Sequence, residues 1–342
     1  MLERVAGAVR AEIPYAAAGW ILIDPDTTLM NAVYGEDVDR EHHLELITLE
    51  LTEPDVNKFW ELADRGIAAA ALSATTDGEL ARSPRWARVY GPNGYGDELR
   101  AVFLSGGIAW GHACLTRTSE DPFFSTSEVD LVAAIAPHVG NGIRTCHLLG
   151  DLVKEPCPRA GVAPALVVLA ADGSVEQASD RVDAWLGPPD DPSMRATMVL
   201  HEVAGRARAL AAGEATGPPA MARVRARTGE WLVVRAAHLS DDPGGSTALV
   251  VEPARRSDLA PLVLDLHQLT DRERHVTQLL LTGRSTAEIA DELYITSETL
   301  RGHVKSVYAK LGVSSRPEMA AMLSHEPRSR VRPVEPAAPR SR

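Results

Sequence analysis

Residues 269–316 read LTDRERHVTQLLLTGRSTAEIADELYITSETLRGHVKSVYAKLGVSSR. Thr270-x-x-Glu273 and Ser285-x-x-Glu288 are two capping boxes, in which a hydroxyl accepts from an orphan helix amide and a carboxylate reaches back to the cap. The first opens a helix with Val276, Leu279 and Leu280 on its apolar face and Gly283 at its end. The second opens a shorter helix with Ile289, Ala290 and Leu293 inward. The turn Tyr294-Ile295-Thr296 then leads to a third helix, from about Ser297 or Glu298 to Gly312.

At 100° per residue, Leu300, Val304, Val307, Tyr308 and Leu311 share one arc of that third helix and must face a core. The opposite face is centred on Gly302, Lys305 and Ala309, flanked by Arg301 and Ser306, and is small, basic and almost free of acid. A short helix, a tight turn and a longer helix with an open cationic face predict a helix-turn-helix, whose second helix can enter a major groove about 12 Å wide. Arginine and lysine there can donate to guanine, while hydroxyls and helix N-termini hold phosphates. A small helical bundle with a solvated charged face shares the same periodicity.

The segment resembles the LuxR-type helix-turn-helix of bacterial transcription factors through four motifs. These are LT-x-R-E, G-x-S-x-x-E-I-A, L-x-I-[ST]-x-x-T-[VL]-[KR]-x-H and K-L-x-V, spread over nearly fifty residues. The resemblance implies base reading at Arg301, Gly302 and Lys305, and phosphate contacts at Thr286, Thr296, Ser297, Thr299 and Ser306. His303 matches the family's histidine and fits equally against the scaffold helix or near a phosphate. Gly302 departs from the larger side chains common there; it weakens the helix by about 1 kcal/mol relative to alanine and removes a thymine-methyl contact. A fourth helix, Pro317 to Leu323 with Met319, Met322 and Leu323 apolar, corresponds to the family's usual dimer contact. Two copies about 34 Å apart would read a two-fold site.

Charge is distributed accordingly. The chain carries 35 basic and 47 acidic side chains, a net charge of −12 with histidine neutral, which argues against indiscriminate nucleic-acid binding by the whole molecule. From Asp265 onward, however, twelve bases against ten acids leave +2, and the preceding residues carry −14. With 45% apolar and 24% charged residues in 342, the composition is that of a multidomain globular protein. It lacks an apolar run long enough for a bilayer, and MLERVAGAVRAE has no signal-peptide h-region. Cys114, Cys146 and Cys157 show no C-x-x-C spacing, which suits a reducing cytosol.

In front of the head, β-rich runs at Ala18–Ile23 and Leu29–Tyr34 flank DPDTT. Glu98–Leu104 and Ile108–Thr116 flank Ser105-Gly106-Gly107, a hairpin signal. A long helix follows from the capping box Ser125-x-x-Glu128, with the stripe Val132, Ile135, Val139, Ile143, Cys146, Leu149 and Val153, and Pro137 as a kink point. The start of this stripe should cover the sheet; its distal half could equally face a second subunit. Runs at 166–169, 174–178, 223–227, 231–239 and 247–251, with a helical pattern over 197–212, make a second α+β unit. GDELRAVFLSGGIAWGHACLTRTSEDPFF resembles a GAF domain, and VVLAADGSVEQAS with TGEWLVVRAAHL resembles a PAS-like unit. Either fold would offer a sheet face to a small molecule or to a second subunit.

The expected fold class is therefore multidomain: two α+β sensor units with antiparallel sheets, GAF-like then PAS-like, followed by an all-α four-helix head. The expected division is a GAF-like domain over 1–153, a linker over 154–164, a PAS-like domain over 165–254, a linker over 255–266, the head over 267–325 and a disordered tail over 326–342.

Other motifs fall short of chemistry. His201-Glu202-Val203-Ala204-Gly205 has glycine where a zinc protease needs its second histidine. Glu41-His42-His43-x-Glu45 suggests no third metal partner. Gly283-x-Ser285 lacks the second glycine of a nucleophile elbow. Neither a phosphoacceptor receiver site nor G-x-x-x-x-G-K-[ST] is present. Asp24-Pro25-Asp26-Thr27-Thr28 resembles the D-x-D-x-T of haloacid-dehalogenase phosphatases, in which Asp24 would attack phosphorus and Asp26 act as acid and base. The surrounding meander is not the parallel βα sheet those enzymes need. The expectation is a cytoplasmic, dimeric, non-enzymatic transcription regulator without metal or cofactor. Its expected partners are double-stranded DNA, a second copy, a small-molecule effector and RNA polymerase, with no membrane. The phosphatase, and an adaptor with a vestigial head, are the alternatives.

Overall fold

The computed structural model describes residues 1–37, 41–149, 162–188, 195–240 and 244–324. Residues 154–161 of the linker expected over 154–164, Val153 and the tail expected over 326–342 lie outside the described residues.

The first sheet is built from two hairpins. After α1 (Leu2–Glu12), β1 (Ala17–Ile23) and β2 (Met30–Glu36) are joined through DPDTT, where Thr28 takes φ +61°. The chain then forms α2 (His43–Thr52), α3 (Phe59–Asp64), β3 (Ala69–Ala71) and α4 (Leu72–Thr75). Next, β4 (Tyr95–Ser105) and β5 (Ile108–Thr118) pair about Gly106 and Gly107, both at positive φ as a two-residue hairpin turn requires. The strand order is β2-β1-β5-β4-β3, antiparallel throughout. The helix α5 (Thr126–Leu149) opens on the expected box, with Ser125 N–H donating to Glu128 at 2.8 Å, and runs continuously past Pro137. A Cβ at Gly140 would fall 2.5 Å from the Leu104 carbonyl, so only glycine lets α5 come this close to β4. The apolar stripe is buried at Val132, Val139 and Ile143, then emerges at Cys146 and Leu149.

Period-two alternation places Leu99 and Phe103 of β4 on one face and Glu98 and Arg100 on the other. That second face is filled by ion pairs. Arg85 donates to Glu98 and Asp55, each at 2.7 Å, and Arg100 donates to Glu98 at 3.0 Å and Glu50 at 2.7 Å. The Phe59 ring stacks on His112 with centroids 3.8 Å apart and lies 4.2 Å from the Arg100 guanidinium. Burial, with Arg100 nearby, holds the His112 imidazole down to about 3 and therefore neutral. Burial pushes the Cys114 thiol up to about 11, away from nucleophilic use.

The second sheet contains β6 (Ala165–Leu169) and β7 (Val175–Ala178), followed by α6 (Arg181–Leu186) and α7 (Arg195–Ala211). It is completed by β8 (Met221–Arg225), β9 (Trp231–His238) and β10 (Thr247–Pro253). Its order, β7-β6-β10-β9-β8, repeats that of the first sheet, again antiparallel. Helix α7 buries Val199, Leu200, Val203, Ala204 and Ala207 in one core with Ile21, Ile23, Leu29 and Met30 of the first sheet. Both sheets thus belong to one compact unit, Met1–Ala254 with Pro261–Leu269. Residues 256–266, expected as linker, form α8 (Arg256–Leu266), in which Leu262, Val263, Leu264 and Leu266 are buried; Arg144 Nε donates to the Leu266 carbonyl at 2.7 Å.

The other unit comprises Arg255–Ala260 and the chain from Thr270 onward. It holds α9 (Asp271–Leu281), α10 (Thr286–Glu292), α11 (Ser297–Leu311) and α12 (Arg316–Ser324). Val276, Leu280, Ile289, Leu300, Val307, Leu311, Met319 and Leu323 form its interior. Each such side chain contributes roughly 1.5–3 kcal/mol by leaving water. Among the described residues no helix is long and apolar enough to cross a membrane.

Candidate nucleic-acid interface

Both boxes in the head are complete. Thr270 and Ser285 accept from the amides of Glu273 and Glu288, whose carboxylates accept in return from the two cap amides. Thr296 caps α11, accepting from the Thr299 amide at 3.1 Å, and Gly312 ends it with φ +68°. Helices α9 and α10 thereby fix the start and direction of α11.

On α11, the arc of Leu300, Val307 and Leu311 is buried, with Val304 and Tyr308 half-buried, and the opposite face is open. Arg301, Gly302, Lys305 and Ala309 are exposed, and a Cβ added at Gly302 would meet nothing within 4 Å. Arg301 Nε donates only to the Ser297 carbonyl one turn back, at 3.3 Å; among the described residues no carboxylate pairs with Arg301 or Lys305. Two cations therefore stand one turn apart, with a side-chain-free patch between them. Thr286, Thr296, Ser297 and Thr299 are exposed near the N-termini of α10 and α11, where positive helix dipole ends favour anions.

Ser306 departs from the expectation. Its hydroxyl donates to Glu273 Oε1 at 2.6 Å and is half-buried, so it joins α11 to α9 rather than reaching outward. Lys310 meets the same carboxylate, its Nζ 2.6 Å from Oε2. Although burial opposes it, these hydrogen bonds and those from Thr270 hold the Glu273 carboxyl down to about 2. The signal for this tie is present in Glu273 as the last residue of a capping box, but its partners lie 33 and 37 positions away. His303 is half-buried.

The phosphatase-like residues are committed elsewhere. Asp24 is 1% exposed and accepts from the Arg223 amide at 2.9 Å and from Arg223 Nη1 at 2.8 Å, while Arg223 Nη2 reaches Asp26 at 2.6 Å. Both carboxylates thus tie the first sheet to the second, in an antiparallel frame, and Asp24 has no open side for a phosphoryl group. Ser105 at the end of β4 donates to Asn141 Oδ1 at 2.6 Å. The two histidine motifs meet each other: His201 Nε2–H donates to the Gly173 carbonyl at 2.9 Å, leaving Nδ1 to accept from His43 Nε2 at 2.8 Å. Among the described residues no three metal-ligating side chains converge.

Fold and interface together define a helix-turn-helix head carried behind a two-sheet α+β unit. Residues 267–323 match the family described as "Bacterial regulatory proteins, luxR family". The spore germination protein GerE of Bacillus subtilis is 44% identical over 55 residues, which are 16% of this chain and 74% of GerE. The nitrate/nitrite response regulator protein NarL of Escherichia coli is 35% identical over 77 residues, 22% of this chain and 36% of NarL. The chain belongs to the luxR family of bacterial regulatory proteins. It spans about a third of NarL and 29% of the Bacillus subtilis transcriptional regulatory protein DesR. Among solved structures it resembles Escherichia coli SdiA, with a TM-score of 0.35 and 10% identity over 94% of this chain and 91% of SdiA. It also resembles the GAF domain/HD domain protein of Geobacter sulfurreducens, with a TM-score of 0.33 and 11% identity over 45% of this chain and 94% of that one.

Proposed function

We propose that the protein is a cytoplasmic transcription regulator that lays α11 in the major groove. Arg301 and Lys305 donate to base edges, Gly302 lets the helix backbone approach closely, and Thr286, Thr296, Ser297 and Thr299 hold phosphates. The observation that carries this reading is the unobstructed Arg301–Gly302–Lys305 face on a helix whose start is fixed by a capped scaffold. Two copies place two heads about 34 Å apart on a two-fold site. The GAF-like and PAS-like sheets shift the relative placement of the heads when they bind a small-molecule effector or pair with their counterparts, and RNA polymerase is the further partner of such a regulator.

Selection of bound duplexes from a random pool by the full-length protein tests this. Enrichment of a short two-fold sequence, lost in an Arg301→Ala/Lys305→Ala double variant, is the expected outcome. Recovery of no preferred sequence contradicts it.

A further inference from the structure

The turn before α11 contains a residue that serves the fold poorly. Tyr294 takes φ +53°, the left-handed region that L side chains other than Asn and Asp rarely adopt, and its side chain is 96% exposed. Among the described residues with positive φ other than glycine are Thr28, Asp37, Asn57, Asp77 and Gln268, so Tyr294 is the one aromatic. The same head uses glycine for this conformation at the ends of α9 and α11, at Gly283 and Gly312. At the end of α10 it uses tyrosine instead. The turn itself is held by backbone alone: the Tyr294 amide donates to Asp291 O at 3.1 Å and the Ile295 amide to Ala290 O at 3.0 Å. Among the described residues the phenol has no hydrogen-bond partner, and the exposed ring gains nothing from burial. An asparagine or glycine would close this turn with less strain.

The ring also has a definite setting. It borders a shallow groove with Ala290, Asp291, Ile295, Thr296 and Thr299, directly beside the N-terminus of α11. Thr296 and Thr299 are the hydroxyls assigned above to phosphates. We propose that Tyr294 is a further DNA-contacting residue, its ring lying along the sugar-phosphate backbone at the edge of the groove and its hydroxyl donating to a phosphate oxygen. This rests on the groove reading of α11. A neutral donor suits the place, since Asp291 and Glu298 are exposed nearby and Glu292 is paired with Arg284. The contact adds affinity without sequence information, as phosphate contacts do.

The full-length protein is titrated against its selected duplex and a scrambled duplex over a range of salt, and its thermal unfolding is followed in parallel. Tyr294→Asn should weaken binding to both duplexes by roughly tenfold, and Tyr294→Phe by roughly three- to tenfold. The ratio between the duplexes should stay within about twofold. The salt slope should match the wild type, because no counterion-releasing charge is lost. Tyr294→Asn should unfold no earlier than the wild type. Unchanged affinity in both Tyr294 variants, with Lys305→Ala still weakening binding, overturns the assignment of Tyr294 and leaves the groove reading standing. Wild-type protein that binds neither duplex overturns both. Normal DNA binding with lost activation by RNA polymerase in a purified transcription reaction would make Tyr294 a protein contact and likewise overturn the proposal.

Discussion

Glu273 and Lys310 meet at 2.6 Å, joining the first turn of α9 to the last turn of α11 through a carboxylate that also serves the Thr270 cap and Ser306. One side chain thus fixes both the start of α9 and the lie of α11. Glu273→Ala should destabilise the head by about 2–4 kcal/mol, since it removes one half of a capping box and the carboxylate that Lys310 and Ser306 share. The carboxyl is held below its unfolded value, so its contribution is complete above about pH 4.5 and is lost as pH falls toward 2. Thermal melts of wild type and Glu273→Gln should therefore converge in acid. A constant difference between them from pH 7 down to pH 2 would contradict the tie.

Asp24 and Arg223 form the corresponding link between the two sheets. Asp24→Asn leaves the guanidinium paired with Asp26 but beside a neutral amide in a closed site, and should cost about 1–3 kcal/mol in unfolding of the front unit. With magnesium and a generic phosphomonoester, wild type and variant should show the same absence of turnover. Turnover in the wild type that Asp24→Asn abolishes would restore the enzymatic reading.

Neighbouring groups on α7 are displaced in opposite directions. Burial, with His43 adjacent, pushes His201 down to about 4, and burial pushes the Glu202 carboxyl up to about 7 against the hydrogen bond from the Met30 amide. The stability contributed by neutral His201 is complete above about pH 6.5 and lost as pH falls through 4. That contributed by protonated Glu202 is complete below about pH 4.5 and lost as pH rises through 7. The two trends oppose each other across pH 4.5–7, so the front unit should melt at nearly constant temperature there. Glu202→Gln removes one of them, and its stability should rise by about 2–3 kcal/mol from pH 4 to pH 7. A variant as flat as the wild type would show that the two groups titrate normally.

Gly302 occupies an exposed helix position with open space where a side chain would stand. Gly302→Ala should raise the stability of the head by about 1 kcal/mol in denaturant titration. Gly302→Trp should fold equally well yet abolish duplex binding, because the ring would stand between the α11 backbone and the bases. Binding by the tryptophan variant at wild-type strength would place the DNA elsewhere.

The head was legible almost residue by residue because its determinants are local: both boxes, the period of the buried arc, the glycine after α11. The hairpin at Gly106–Gly107 is legible for the same reason, since turn chemistry fixes register at short range. Helix α2 was missed because Glu41-His42-His43 masks its start and Ile47, Thr48 and Thr52 are β-branched. Helix α8 is hidden in the sequence because Pro261 interrupts its pattern, while the tie of its end to Arg144 of α5 spans 122 positions. The ion network of Arg85, Glu98, Arg100 and Glu50 joins three separate stretches, and no spacing rule predicts such pairs. Helical angle sets Ser306 beside the groove face and the resemblance gives it a phosphate, but Glu273, far off in sequence, draws its hydroxyl away.

The central claim concerns Arg301 and Lys305, and the most direct measurement is a gel-shift titration of the full-length protein on its selected duplex at fixed salt. Arg301→Ala and Lys305→Ala, with unfolding curves that match the wild type, should each weaken specific binding by about 1–3 kcal/mol and relax sequence preference at the base pair each contacts. Affinity and preference unchanged in both variants would contradict the assignment of this helix face to the major groove.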